Sequence, residues 1–295
     1  MLWRSYEFPR SVDEALEMLA THDGRARLIA GGTDLVLQLR EEERQIEALV
    51  DVTRIDGLAS IARDDGTISM GAAVTYRQSI DSPVLQAGSA VLAEAARRVG
   101  SPQIRNVGTL VGNVVNAMPA ADAAIALFAL GAELEIASPA GRRWAPIETL
   151  YDGPGRSKVD PTREMVTAMR WPALGVDQGS AFVRLSRRKA LALPVLNVAV
   201  VIALKGHSVE WARIAMGPVT PLPFRAHGAE DFLRGMPADA ESIRQAVEIA
   251  AQEAQPRSSL LRASREYRQE TLKVLLRRAL ERALARAQGT GTTEV

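Results

Sequence analysis

Two glycine-bearing stretches constrain this chain more tightly than anything else in it. The first, LIAGGTDL at residues 28–35, follows a short apolar run and precedes another. The second, GTLVGN at 108–113, sits in a Gly- and Asn-rich segment ahead of an alanine-rich apolar run at 120–130. Glycine reaches positive φ cheaply and lets a backbone approach closely. A run of free N–H groups beside a helix start attracts oxygen-rich anions, and Thr33 and Thr109 each add a hydroxyl. Two such stretches could grip the two halves of one pyrophosphate. Taken alone, each is also what a plain tight turn looks like. No GxGxxG follows a strand and no GxxxxGK occurs, so neither of those phosphate-binding patterns applies.

The elements around these turns read as mixed helix and strand. Ser11 and Glu14 make a capping-box pattern for a helix carrying Val12, Ala15, Leu16 and Leu19, ended by Gly24. Residues 27–30 read as a strand, 34–43 as a helix with Asp34 near its start, and 48–52 and 67–73 as strands. The first 60 or so residues thus form a small βα-type lobe. Residues 90–99 read as a helix, the first half of 101–137 as loop, 120–130 as a buried helix and 132–137 as a strand. The stretch 151–157 is a turn cluster. Trp171-Pro172, with Gly175 and Gly179 nearby, suggests a domain boundary. Beyond it, strands are expected at 180–188, 195–204 and 209–216, and helices at 239–254 and 265–287. The tail from Gly289 is expected to be disordered.

Composition narrows the chemistry. With 295 residues, 47% of them hydrophobic, two domains are expected. Net charge is +1 and aromatic content 4%, which argues against nucleic acid. The absence of cysteine excludes disulfides, thiolate zinc sites, cysteine nucleophiles and cysteine-held iron–sulfur clusters in this chain. Its three histidines are far apart, and none sits in an HxxxH pattern. No apolar run approaches the ~18 residues of a membrane span and no signal-like h-region opens the sequence, so a cytoplasmic protein is expected.

The two turns in this order, with what surrounds them, resemble the FAD-binding medium subunit of the molybdenum hydroxylases, the xanthine dehydrogenase and carbon monoxide dehydrogenase family. The resemblance runs through YEFPRSVDEALEML, LIAGGTDL, ISMGAAVTY, QIRNVGTLVGNVVNAMPAADAAIALFALGAELEI, GPGRSKVDP, RLSRRKALALPVLNVAVVIAL and ARIAMGPVTPLPFRA. It implies an α+β fold: a two-lobed FAD-binding (PCMH-type) domain at 1–175, with lobes at about 1–59 and 60–175, then a smaller α+β domain at 178–287 and a disordered tail at 288–295.

By the same resemblance, FAD lies extended between the lobes. The first loop that holds it is Ile29, Ala30, Gly31, Gly32, Thr33, Asp34 and Leu35; the second is Thr109, Leu110, Val111, Gly112 and Asn113. Val111 stands where the family usually has glycine. A β-branched residue avoids positive φ, so either that residue keeps negative φ or the loop sits off the phosphate. Asp122 matches an aspartate that contacts the cofactor; a helix-start acid is the alternative, and Asp34 carries the same ambiguity. Arg184 falls near a lysine close to the flavin, though Arg187, Arg188 and Lys189 follow it. Met165 and Val166 are candidates for an apolar wall. With no cysteine and no loop histidine, the FAD is expected to be non-covalent. The implied function is electron transfer within a larger enzyme, with 2Fe-2S clusters on a small subunit and molybdopterin on a large one, in a dimer of heterotrimers. The rivals are a free-standing flavin oxidoreductase and a non-redox nucleotide-binding or assembly protein.

Overall fold

The computed structural model describes residues 2–41, 46–188, 191–259 and 263–291. Its first lobe is built around a three-stranded parallel sheet in the order Ser5–Glu7, Ala48–Asp51, Ala26–Ile29. The central strand is buried at all four positions, as a parallel strand covered on both faces must be. Its side chains alternate between two cores. Ala48 and Val50 pack with Ala15, Leu16 and Leu19 of helix Val12–Thr21, and Leu49 packs with Leu39 of helix Leu35–Glu41. Ser11 caps the first helix by accepting from Glu14 N at 3.1 Å. The Glu14 carboxylate accepts from Arg10 N at 2.6 Å, one residue before the cap.

The second lobe centres on a five-stranded antiparallel sheet in the order Ile61–Asp64, Thr67–Gly71, Met165–Pro172, Glu133–Ser138, Gly141–Pro146. Met165–Pro172 returns from far along the chain to the middle of the sheet. A bulge between Val166 and Ala168 interrupts its pairing with Glu133–Ser138. The expected loop at 101–116 is instead two short helices, Pro102–Val107 and Leu110–Val115. Ser101 and Thr109 cap them, accepting from Ile104 N at 3.3 Å and Gly112 N at 3.0 Å. The first has no buried residue, so no apolar periodicity could announce it.

The C-terminal domain is an antiparallel sheet, Gln178–Ser186, Pro194–Lys205, Ser208–Gly217 and Phe224–Arg225 in that order. Helices Ala240–Glu253 and Arg265–Ala287 cover one face. The other packs on helix Asp122–Leu130, whose nine residues are all buried; a helix apolar all round is the sequence mark of one enclosed on every side. Strand alternation divides the sheet. Phe182, Ala199 and Val201 join the core of the second lobe, whereas Ala181, Val183, Val198 and Val200 join the C-terminal core.

Polar contacts bolt the seam. Glu94 accepts from Phe182 N at 2.9 Å and pairs with Arg286 at 2.7 Å. Arg225 bridges Glu148 and Glu230, each at 2.5 Å. At the C-terminus, Thr290 N and Gly291 N both donate to Ala285 O at 2.9 Å, so the helix cap extends into the expected tail, and residues 292–295 lie outside the described ones. Among the described residues no helix is long and apolar enough to cross a membrane.

Candidate functional site

A cleft of about 860 Å³ opens between the two N-terminal lobes, within the size range of small-molecule and cofactor sites. The structure brings both glycine turns to it. Ile29, Ala30, Gly31, Gly32, Thr33, Asp34 and Leu35 line it from the first lobe. Thr109, Val111, Gly112 and Asn113 line it from the second, and Met165 and Val166 contribute from the central strand beside its bulge. Bulges re-aim side chains next to sites in this way.

The glycines matter for a reason the sequence did not disclose. A Cβ on Gly31 would press on the Val107 carbonyl and lie 2.8 Å from Gly108 N. Gly31 is therefore bare because the two turns touch each other. Gly32 has φ +66°, and a Cβ there would point at Ile29 Cδ1 (3.0 Å) and Val36 Cγ2 (3.3 Å), into its own lobe and away from a ligand. What the turns offer the cleft is donors. Among the described residues, no acceptor takes the N–H of Gly31, Gly32, Thr33 or Val111. Three such donors on the half-buried first turn and one on the second, all at the cleft, suit an anion such as a pyrophosphate.

Val111 presents no strain. It is the second residue of helix Leu110–Val115, outside the positive-φ residues. The Thr109 oxygen is committed to capping that helix. Asn113 Oδ1 accepts from Ala124 N at 3.3 Å, which ties the second turn to the buried helix Asp122–Leu130. Across the cleft, Gln38 Nε2 donates to Asn116 Oδ1 at 2.8 Å. Asp34 lines the cleft just before helix Leu35–Glu41; burial raises its pKa, partly offset by the Thr33 hydroxyl.

Asp122 and Arg184 do not line the cleft. Asp122 opens helix Asp122–Leu130 and is buried at the domain seam. Asn197 Nδ2 donates to its Oδ1 at 2.7 Å, and Arg184 Nε lies 3.4 Å from Oδ2. Burial pushes the Asp122 carboxyl up to about 6, against the pull of Arg184 and Asn197. Arg184 also donates to Arg98 O at 2.8 Å and to Ala192 O, so its cation serves the seam. Arg188 donates to Leu191 O at 2.8 Å, and Lys189 lies outside the described residues.

Sequence reasoning missed Tyr76, Val99, Ile104 and Leu193, which also line the cleft. None belongs to a turn or charge pattern, and only tertiary packing brings them there. Among the described residues, no group of three or more His, Asp or Glu could hold a metal ion.

A cofactor-sized cleft with free N–H groups on both walls, backed by a second domain, defines a dinucleotide-type cofactor binder. Residues 3–174 match the family model described as the FAD binding domain in molybdopterin dehydrogenase, and residues 181–283 that of the CO dehydrogenase flavoprotein C-terminal domain. The chain belongs to this FAD-binding family. It is 31% identical over 287 residues to the putative xanthine dehydrogenase FAD-binding subunit of Escherichia coli K12, covering 97% of each chain. It is 31% identical over 281 residues to the carbon monoxide dehydrogenase medium chain of Hydrogenophaga pseudoflava, covering 95% of this chain and 97% of that one. Among solved structures, a carbon monoxide dehydrogenase from Hydrogenophaga pseudoflava lacking the Mo-pyranopterin moiety superposes with a TM-score of 0.90, at 31% identity over 96% of this chain and 98% of that one.

Proposed function

We propose that the chain is the FAD-carrying electron-transfer subunit of a heteromeric molybdenum hydroxylase. The observation that carries this is the near end-to-end match to medium and FAD-binding subunits, combined with one cleft uniting both turns. When bound, FAD supplies the redox chemistry; the chain binds it, orients it and shields it from water. The N–H groups of Gly31, Gly32, Thr33 and Val111 hold the pyrophosphate. Asp34 faces hydroxyls of the cofactor's sugar or ribityl chain, and Met165 and Val166 wall the flavin. Asp122 and Arg184 act through the seam, fixing the helix to which Asn113 is tied. The FAD is non-covalent, since the chain lacks cysteine and neither turn contains histidine.

The domains divide at about 175–178. Electrons arrive from 2Fe-2S clusters on a small partner, fed by a molybdopterin centre on a large one. This chain and its two partners form a three-chain unit that pairs into a dimer, in the cytoplasm. The purified chain is expected to be yellow, to lose that colour to the supernatant on acid precipitation, and to be bleached by dithionite. A hydroxylase substrate should reduce it only when both partners are added. A colourless chain that takes up no FAD refutes the flavin reading. Turnover of such a substrate by the chain alone refutes the subunit reading in favour of a free-standing oxidoreductase.

A further inference from the structure

We propose that Tyr76 is a positioning residue of the cleft, whose phenol hydroxyl donates a hydrogen bond to an uncharged acceptor oxygen of the flavin cofactor. The inference rests on the flavin reading above and adds a residue to it.

Tyr76 is held with unusual thoroughness for a side chain in a surface-opening cleft. It is the first residue of helix Tyr76–Asp81, where Thr75 and Gln78 form a full capping box. Its N–H donates to Gly108 O at 3.0 Å, Leu110 N donates to Val74 O at 3.3 Å, and Thr75 pairs with Thr109 as an isolated bridge. A Cβ on Gly108 would lie 3.3 Å from the Tyr76 ring, so the second turn packs against the ring itself. The ring is thus fixed to the turn that supplies Val111 to the cleft.

Tyr76 is only 3% exposed, yet it lines the cleft. No described residue hydrogen-bonds its hydroxyl. The residue is buried as a whole, but its hydroxyl is not among the enclosed side-chain atoms that lack a partner, so the tip of the ring opens to the cleft, where a ligand can meet it. Tyr151, by contrast, has an enclosed hydroxyl without a partner, packs against Phe128 in the core and does not line the cleft. Of the two hydroxyls, that of Tyr76 is therefore the one a bound molecule could reach.

The surroundings select the acceptor. Burial, reinforced by the negative charge of Asp34 and Asp122, holds the phenol well above its usual range. It stays protonated and acts as a donor. Asp34 lines the same cleft, and its charge makes the position unfavourable for a phosphate, whereas that of Asp122 is met by Arg184 at 3.4 Å. An uncharged oxygen remains: a ring carbonyl of the isoalloxazine or a hydroxyl of the ribityl chain.

The test is Tyr76→Phe in the full-length chain, stripped of flavin by acid and titrated with FAD. One neutral hydrogen bond corresponds to roughly a three- to tenfold weakening of FAD binding. The flavin-free variant should be as heat-stable as the parent, since the hydroxyl it loses bonds no described residue. With a ring carbonyl as acceptor, the midpoint potential also falls and the visible bands shift, because the bond strengthens as the ring gains negative charge. With a ribityl oxygen, affinity falls and the potential and bands stay put. Unchanged affinity and potential in Tyr76→Phe overturn the proposal. So does a weakened affinity accompanied by a lower melting temperature of the flavin-free chain, which would mark a packing role. If the parent chain itself takes up no FAD, the flavin reading fails, and this inference with it.

Discussion

Gly31→Ala adds a single carbon, and its Cβ would lie 2.8 Å from Gly108 N and closer still to the Val107 carbonyl. Both neighbours are backbone, so no rotamer change relieves the clash. The two turns have to part, or Pro102–Val107 has to shift. Overpacking of this kind costs ~1–3 kcal/mol, and the upper end applies where only backbone can yield. If about half of ~3 kcal/mol is relieved by drawing the turns apart, FAD binding weakens about tenfold, since 1.4 kcal/mol is a factor of ten. Gly32→Ala is the control. Its φ of +66° makes an alanine cost ~1–2 kcal/mol, but its Cβ points toward Ile29 and Val36 and leaves the turn-to-turn contact alone. The assay is FAD titration of the stripped chain alongside urea melts. Gly31→Ala should lose affinity out of proportion to Gly32→Ala. A Gly31→Ala chain that binds FAD as tightly as the parent would refute the argument that contact between the turns shapes the cleft.

Two titrating groups give further tests. Burial raises the folded-state pKa of Asp122 from 3.8 to about 6, so the folded chain resists losing that proton. Stability should fall as pH rises between those values and stay lower above them; Asp122→Asn should flatten that fall in urea melts at pH 4 and 7, and an identical pH profile in the variant would sink the assignment. At His22, burial is outweighed by hydrogen bonds to Glu7 (2.9 Å) and Glu47 (3.3 Å), and the pKa is raised above 6.5. The stabilisation is complete below 6.5 and lost as pH climbs through the folded value. His22→Gln should therefore lower stability at pH 5.5 by less than about 1 kcal/mol, because the pairs are partly exposed, and change nothing at pH 9; a deficit that persists at pH 9 would refute a charge effect.

Much of the architecture is written in local patterns. Val12, Ala15, Leu16 and Leu19 repeat at the helical period, and that face alone specifies Val12–Thr21. The uninterrupted apolar run ahead of Gly131 specifies a helix enclosed on all sides. The two glycine turns, read in order, indicate one cofactor held between two lobes. These features are legible because each depends on spacing along a few turns of chain, which sequence records directly.

What the fold alone decides is which groups meet across long separations. Asp122, Arg184 and Asn197 form a buried seam, although Asp122 and Arg184 read from the sequence as ligand contacts, because a charge announces that it needs a partner without saying which. Gly31 is bare for the sake of Val107 and Gly108, more than 70 residues away, and the need for glycine looks the same in sequence whether ligand or backbone fills the space. Tyr76 ends a stretch that the family resemblance covers but belongs to no turn or charge pattern, and it reaches the cleft because its helix start is pinned to Gly108. Chain periodicity sets which face of an element is apolar; three-dimensional packing sets which polar groups are left facing one another, and the binding cleft is made of those.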